Sequence, residues 1–143
     1  MLVNLKKSRI LIVDDDPAIQ NLLKRFYASY DFDLFAAVHG QQAIEMAPVY
    51  RPDLILLDVD MPVLNGYTTI AILRTHEATS DVPIILITGQ EEAKDKARGL
   101  YDEYLSKPFC KDDLIQATLK FLPGAVKRAH DSEKGTVPSG SLN

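Results

Sequence analysis

The stretch ILIVDDDP, residues 10–17, decides the fold. Ile10, Leu11, Ile12 and Val13 leave no polar face, and a strand of that kind is covered on both sides, as in a parallel sheet. Three aspartates end the run. Asp16 followed by Pro17 makes a helix start, with a capping carboxylate and a proline at the first helical position. Beyond it Ile19, Leu22, Leu23 and Phe26 recur at i, i+3, i+4 and i+7, one apolar helical stripe read as core. Strand, acidic turn and amphipathic helix together form the opening of a βα unit.

The same alternation repeats outward from this unit. Apolar runs at 34–37, 54–57, 84–87 and, more briefly, 104–105 predict four further strands. Helical patterns follow them near 41–47, 66–75, 91–99 and 111–121. Five strand–helix alternations give an α/β fold around a parallel sheet. After Phe121 the apolar pattern stops. Residues 1–8 read as an N-terminal arm, 9–122 as the folded domain, and 123–143 as a flexible tail or the start of a linker. Tyr27 and Tyr30 are expected at the core edge or surface. His39, His76 and His130 lack metal-ligand spacing and are expected at the surface or in loops. Cys110 is expected to be a small helix-start residue without chemistry.

Composition narrows the function. With 143 residues the chain is long enough for one domain with a core of its own. Residues 10–123 hold 10 Lys/Arg against 18 Asp/Glu, a net of −8. So acidic a domain is a poor electrostatic match for nucleic acid and a good one for a cation or a basic partner surface. No apolar run approaches a membrane span, and no export signal is read at the N-terminus. A single cysteine cannot form an internal disulfide, and a cytoplasmic location is expected.

Sites in open α/β sheets form at the carboxyl ends of the strands. Those ends carry Asp14-Asp15-Asp16, Asp58, Thr88 and Ser106-Lys107-Pro108. Acids, a hydroxyl and an amine thus share one rim, and strand packing does not require them there. An aspartate nucleophile and a phosphoryl donor are both anionic and repel. A divalent cation bridging them removes that barrier, and Mg²⁺ suits carboxylate, carbonyl and water ligands. The first-strand aspartates are placed to hold it, Thr88 to hydrogen-bond a phosphoryl oxygen, and Lys107 to pair with the phosphoryl charge or with Asp58 before transfer. Without a cation the clustered carboxylates should hold protons more tightly.

The segments VDDD at 13–16, LLDVDMPVLNG at 56–66, ITG at 87–89 and YLSKPF at 104–109 resemble the receiver domains of bacterial two-component response regulators. The resemblance implies a flavodoxin-like (βα)5 fold, a doubly wound five-stranded parallel sheet in the order 2-1-3-4-5 flanked by five helices. It implies Asp58 as the phosphoacceptor, carrying an aspartyl phosphate received in a phosphorelay from a histidine kinase or phosphotransfer protein. Asp14 and Asp15 resemble the acidic pair, with Asp15 a direct Mg²⁺ ligand and the backbone carbonyl of Asp60 another. Thr88 and Tyr104 resemble the switch pair, and Lys107 the site lysine. Lys107-Pro108 resembles a cis peptide bond. The domain would catalyse only its own phosphorylation and dephosphorylation. It would act through a downstream protein target or an output domain, with no direct contact to nucleic acid or membrane.

Two departures from the family pattern stand out. Thr88 and Lys107 are 19 positions apart, about three fewer than usual in the family, close to one helical turn. The fourth helix should therefore be shortened or re-aimed. Asp60 is acidic where many members carry an uncharged or basic residue, and its side chain is expected to face solvent. Other functions fit less well. Asp58-Val59-Asp60 is a D-x-D, as in haloacid-dehalogenase phosphatases, but those place it on the first strand and their acidic pair late. An FMN binder needs a phosphate loop after the first strand, where three aspartates would repel the anion. A pseudo-receiver that only binds partners would lack a site residue, and each is present.

Overall fold

The structure is a computed structural model that describes residues 7–60 and 65–128. Residues 61–64 of the LLDVDMPVLNG segment, His130, the arm before Lys7 and the tail beyond Arg128 lie outside the described residues.

The chain runs β1 (Ser8–Val13), α1 (Pro17–Phe26), β2 (Phe32–Ala37), α2 (Gly40–Tyr50), β3 (Leu54–Asp58), α3 (Gly66–Thr75), β4 (Ile84–Thr88), α4 (Ala93–Lys96), β5 (Glu103–Ser106) and α5 (Lys111–Phe121). All strand pairs are parallel and the sheet order is β2-β1-β3-β4-β5. The continuous aliphatic runs lie centrally, and every residue of β3 and β4 is buried. Because side chains alternate across a strand, each run supplies two cores. Leu11, Val13, Ile55, Leu57, Ile84 and Leu86 face α2 and α3. Ile10, Ile12, Leu54, Leu56, Ile85 and Ile87 face α1 and α5.

Capping explains several helix starts. The Asp16 carboxylate accepts the Ala18 N–H and Pro17 opens α1. His39 and Asn65 accept N–H groups at the starts of α2 and α3. Gly66 is required by close approach: a Cβ there would stand 2.3 Å from Val59 Cα.

Several expectations need correction. Of the α1 stripe, only Leu23 is fully buried, while Ile19, Leu22 and Phe26 are half-buried. Tyr27 is core, not core edge: it is 1% exposed, and its hydroxyl meets Thr118 Oγ1 at 2.7 Å, joining α1 to α5. Its burial pays off only because Thr118, on a distant helix, supplies a partner for the phenol. The fourth helix is four residues long instead of spanning 91–99. Arg74 braces the short connection. Its guanidinium donates to the carbonyls of Leu100, Thr79, Ser80 and Val82 and to Asp102.

Beyond α5 the chain stays on the domain as far as Arg128. Asp31 N–H donates to Val126 O, Arg128 N–H donates to Ser29 O, and Tyr30 and Lys127 form an antiparallel bridge.

Candidate functional site

Asp14 follows β1, Asp58 ends β3, Thr88 ends β4, and Lys107 follows β5. Parallel register brings them to one rim, with Thr88 opposite Ser106 and Asp58 opposite Ile87. Asp14, Asp58 and Lys107, together with Asp15 and Asp60, help to line an open cleft of ≈ 510 Å³.

Carboxylate oxygens of Asp14, Asp15 and Asp58 lie within 4.8 Å of one another. Asp14 and Asp58 are buried and Asp15 is exposed. Asp58 is held at both oxygens: Oδ1 accepts the Asp60 N–H at 3.0 Å, and Oδ2 lies 3.4 Å from Lys107 Nζ. Asp14 Oδ1 accepts the Asp16 N–H at 2.9 Å. Burial pushes the Asp14 carboxyl up to about 6, and the charges of Asp58 and Asp15 push the same way; the Asp16 hydrogen bond and Lys107 oppose them. The tighter proton hold at Asp14 thus comes first from burial, with repulsion from Asp58 and Asp15 a smaller contribution. The donor set is all oxygen, which suits a hard divalent cation.

Thr88 is fully buried, and its hydroxyl accepts the Gln90 N–H at 3.0 Å. Tyr104 is half-buried, with its hydroxyl donating to Gln90 O at 3.1 Å and Lys94 Nζ 5.1 Å from its ring centroid. The Lys107–Pro108 bond is cis, and Lys107 N–H donates to Thr88 O at 2.9 Å. Cys110 caps α5, and His39 and His76 lie away from the cleft at helix ends.

Asp60 is exposed, as expected, yet its carboxylate does not simply face solvent. Oδ2 stands 3.5 Å from Thr88 Oγ1. Two residues escaped the sequence reading. Buried Gln20 donates through Nε2 to the carbonyls of Ile12, Asp14 and Ala37, pinning the acidic turn to the ends of β1 and β2. Tyr67, beside Gly66, buries its hydroxyl oxygen without a hydrogen-bond partner among the described residues. A glutamine on a helix usually reads as solvated, so no local signal marked Gln20.

Comparison with known proteins agrees with this architecture. The family model for the response regulator receiver domain matches residues 10–119. The DNA-binding dual master transcriptional regulator RpaA of Synechocystis is 37% identical over 138 residues, covering 90% of this chain and 57% of that protein. The cell cycle response regulator CtrA of Brucella ovis is 31% identical, covering 94% of this chain and 56% of that protein. This chain thus spans about half the length of the curated relatives it matches. Among solved structures, the receiver domain of a Pseudomonas aeruginosa sensor histidine kinase, with a magnesium ion coordinated in its active-site cleft, superposes with a TM-score of 0.76 at 29% identity. That match covers 82% of this chain and 99% of that one. A putative response regulator from Chloroflexus aurantiacus gives a TM-score of 0.77 at 29% identity, covering 82% and 99%. With sheet order, acidic rim and family match in agreement, the chain belongs to the response regulator receiver domain family.

Proposed function

We propose that this domain accepts a phosphoryl group on Asp58 from a histidine kinase or phosphotransfer protein, with Mg²⁺ bound, and that the acyl phosphate switches a protein-interaction surface built by α4, β5 and α5. The observation that carries this reading is Asp58 itself. It is a carboxylate 3% exposed at the end of the central strand, oriented at both oxygens, with acids on one side and an ammonium on the other.

The carboxylates of Asp14, Asp15 and Asp58 and the backbone carbonyl of Asp60 would hold the ion, with Asp15 a direct ligand. When bound, Mg²⁺ neutralises charge between nucleophile and donor. The Asp58 carboxylate is already an anion, so attack on phosphorus releases no proton. One P–O bond forms to Asp58 as the donor's bond to phosphorus breaks, and the leaving group takes the electron pair. Lys107 turns from Asp58 Oδ2 to the incoming phosphoryl charge, and Thr88 hydrogen-bonds a phosphoryl oxygen. The contribution of the chain is mainly position and charge. Movement of Thr88 would then be read by Tyr104, whose hydroxyl leans on the adjoining Gln90 carbonyl.

The reaction is self-modification of a signalling domain, without a separate substrate to turn over. A downstream protein or an output domain would receive the signal. The net charge of −8 over residues 10–123 supports protein contact, not DNA contact, by this domain. Among the described residues no helix is long and apolar enough to cross a membrane.

The test is incubation with acetyl phosphate and Mg²⁺, read by intact mass. One added phosphoryl group is expected, absent when EDTA is present from the start and absent in Asp58→Asn. Full labelling of that variant would overturn the assignment.

A further inference from the structure

Among the described residues Gln20, in α1, is the only buried side-chain amide, 5% exposed. Its Nε2 donates to Asp14 O and Ala37 O, each at 3.0 Å, with Ile12 O at 3.3 Å. Ringed by three carbonyl oxygens, that end of the amide must be the nitrogen. Its Oε1 is buried with no hydrogen-bond partner among the described residues. A stranded acceptor is costly, and a methionine would fill the same space without that cost. Packing therefore gives no reason for an amide here, whereas its donors do. The backbone N–H of Gln20 donates as well, to Asp16 O at 3.0 Å. One residue thus grips the acidic turn on both sides of Asp15, at Asp14 O before it and Asp16 O after it. Asp15 itself is exposed, and among the described residues no hydrogen bond or ion pair holds its carboxylate. Its aim is set by the backbone of the turn.

Resting on the reading of the rim as a Mg²⁺ site for phosphoryl transfer, we propose that Gln20 is a positioning residue for the metal, its side-chain amide holding the Asp14–Asp16 turn in the arrangement that presents Asp15 to the ion beside Asp14 and Asp58. Gln20 does not line the cleft. It acts from behind, through the carbonyl of Asp14. Ala37 O also accepts the Asp14 N–H at 3.0 Å, so the same amide ties the turn to the end of β2. Affinity for an ion scales with the fraction of molecules whose ligands already stand in place. A turn released from Gln20 spreads over other arrangements, and that fraction falls. Groups that orient metal ligands from behind are typically worth about 10–100-fold in affinity. Gln20 holds backbone and not a ligating atom, so the lower end of that range applies.

The test titrates the native chain, Gln20→Met, Gln20→Asn and Tyr27→Phe with Mg²⁺ alone, followed by backbone amide resonances, beside urea unfolding of each in EDTA. Gln20→Met keeps the length of the side chain and removes its donors. Gln20→Asn keeps the amide and stops one methylene short of the carbonyls. Each should bind Mg²⁺ about tenfold more weakly. Tyr27→Phe, a core change at the far end of α1, should lower the urea midpoint and leave Mg²⁺ affinity unchanged. In labelling with acetyl phosphate, Gln20→Met should need about tenfold more Mg²⁺ for half its maximal rate and reach a near-native rate at saturation, a split that a loss of stability does not produce. An equal loss of affinity in Tyr27→Phe would overturn the proposal, since affinity would then track stability. So would a lower maximal rate with unchanged half-saturation. Absence of Mg²⁺ binding by the native chain would overturn the metal reading, and this inference with it. Native binding with undiminished affinity in whichever Gln20 variant folds would overturn this inference alone.

Discussion

Replacing Arg74 by methionine keeps a long apolar stem and removes a cation that joins three stretches of chain. Nε donates to Leu100 O at 2.8 Å, and Nη1 to Val82 O at 2.6 Å, with Ser80 O and Thr79 O at 3.2 and 3.3 Å. Nη2 meets Asp102 Oδ2 at 2.7 Å. Nη1 has two protons, so its three carbonyls cannot all be bonded fully. Counting the two shortest carbonyl bonds, at about 1.5–3 kcal/mol each for a charged donor, gives roughly 3–6 kcal/mol, with the lower part of that range expected at a half-buried site. The ion pair adds under about 1 kcal/mol, because the Asp102 side chain is 43% exposed. The expected loss is about 4 kcal/mol, a large part of the roughly 5–15 kcal/mol typical of a domain. Urea unfolding in EDTA should show it as a lower midpoint, and thermal unfolding as a fall of roughly 15 °C. Arg74→Lys should recover less than half, since an ammonium cannot span the three stretches together. Asp102→Asn should cost little. A loss below about 1 kcal/mol in Arg74→Met would refute the view that this side chain holds the shortened connection together.

Other outcomes follow from the same structure. Asp14 titrates near 6 in the folded chain against 3.8 unfolded, so the native state holds its proton more tightly and metal-free stability should fall as pH rises from about 4 to 6, by at most about 3 kcal/mol. Asp14→Asn should therefore be the more stable form at pH 7.5 and not at pH 4; a difference independent of pH in urea titrations would contradict this. Asp15→Ala should weaken Mg²⁺ binding in calorimetric titration, and unchanged affinity would remove Asp15 from the ligand set. Gly66→Ala should cost about 3 kcal/mol, because its methyl meets backbone at Val59 that cannot turn aside; a near-native urea midpoint would show that α3 shifts freely. Tyr27→Phe and Thr118→Val should each destabilise by about 1–2 kcal/mol and by less than their sum when combined, since they break one shared bond.

Much of this was legible in the chain. β1, β3 and β4 announce themselves because parallel strands covered on both faces tolerate only aliphatic residues, and the acids interrupting them mark the rim. Asp16-Pro17 states its helix start outright. The shortened 88–107 segment pointed to a small fourth helix, yet α4 stops after four residues where the chain turns through Gly99, at φ 86°, which no periodicity encodes. Tyr27 looked peripheral because its partner Thr118 is 91 residues away. Nothing local marks Arg74 or Gln20, because only the folded chain supplies the carbonyls that take their N–H groups. The approach of Asp60 Oδ2 to within 3.5 Å of Thr88 Oγ1 spans 28 positions, so local spacing could not show it.

The fourth helix carries one more consequence. A helix of four residues has hardly any hydrogen bonds of its own beyond those at its ends. β5 beside it contains no fully buried residue. The α4 and β5 part of the output face proposed for this domain therefore has few bonds and little burial of its own, and a small free-energy gap between two arrangements of it is expected. Such a gap sets the background level of signalling as well as the ease of switching. Each 1.4 kcal/mol taken from it raises the spontaneous population of the active arrangement about tenfold. A receiver with so small a gap would gain sensitivity to a weak stimulus and lose silence in the absence of one, leaving discrimination to whatever it meets.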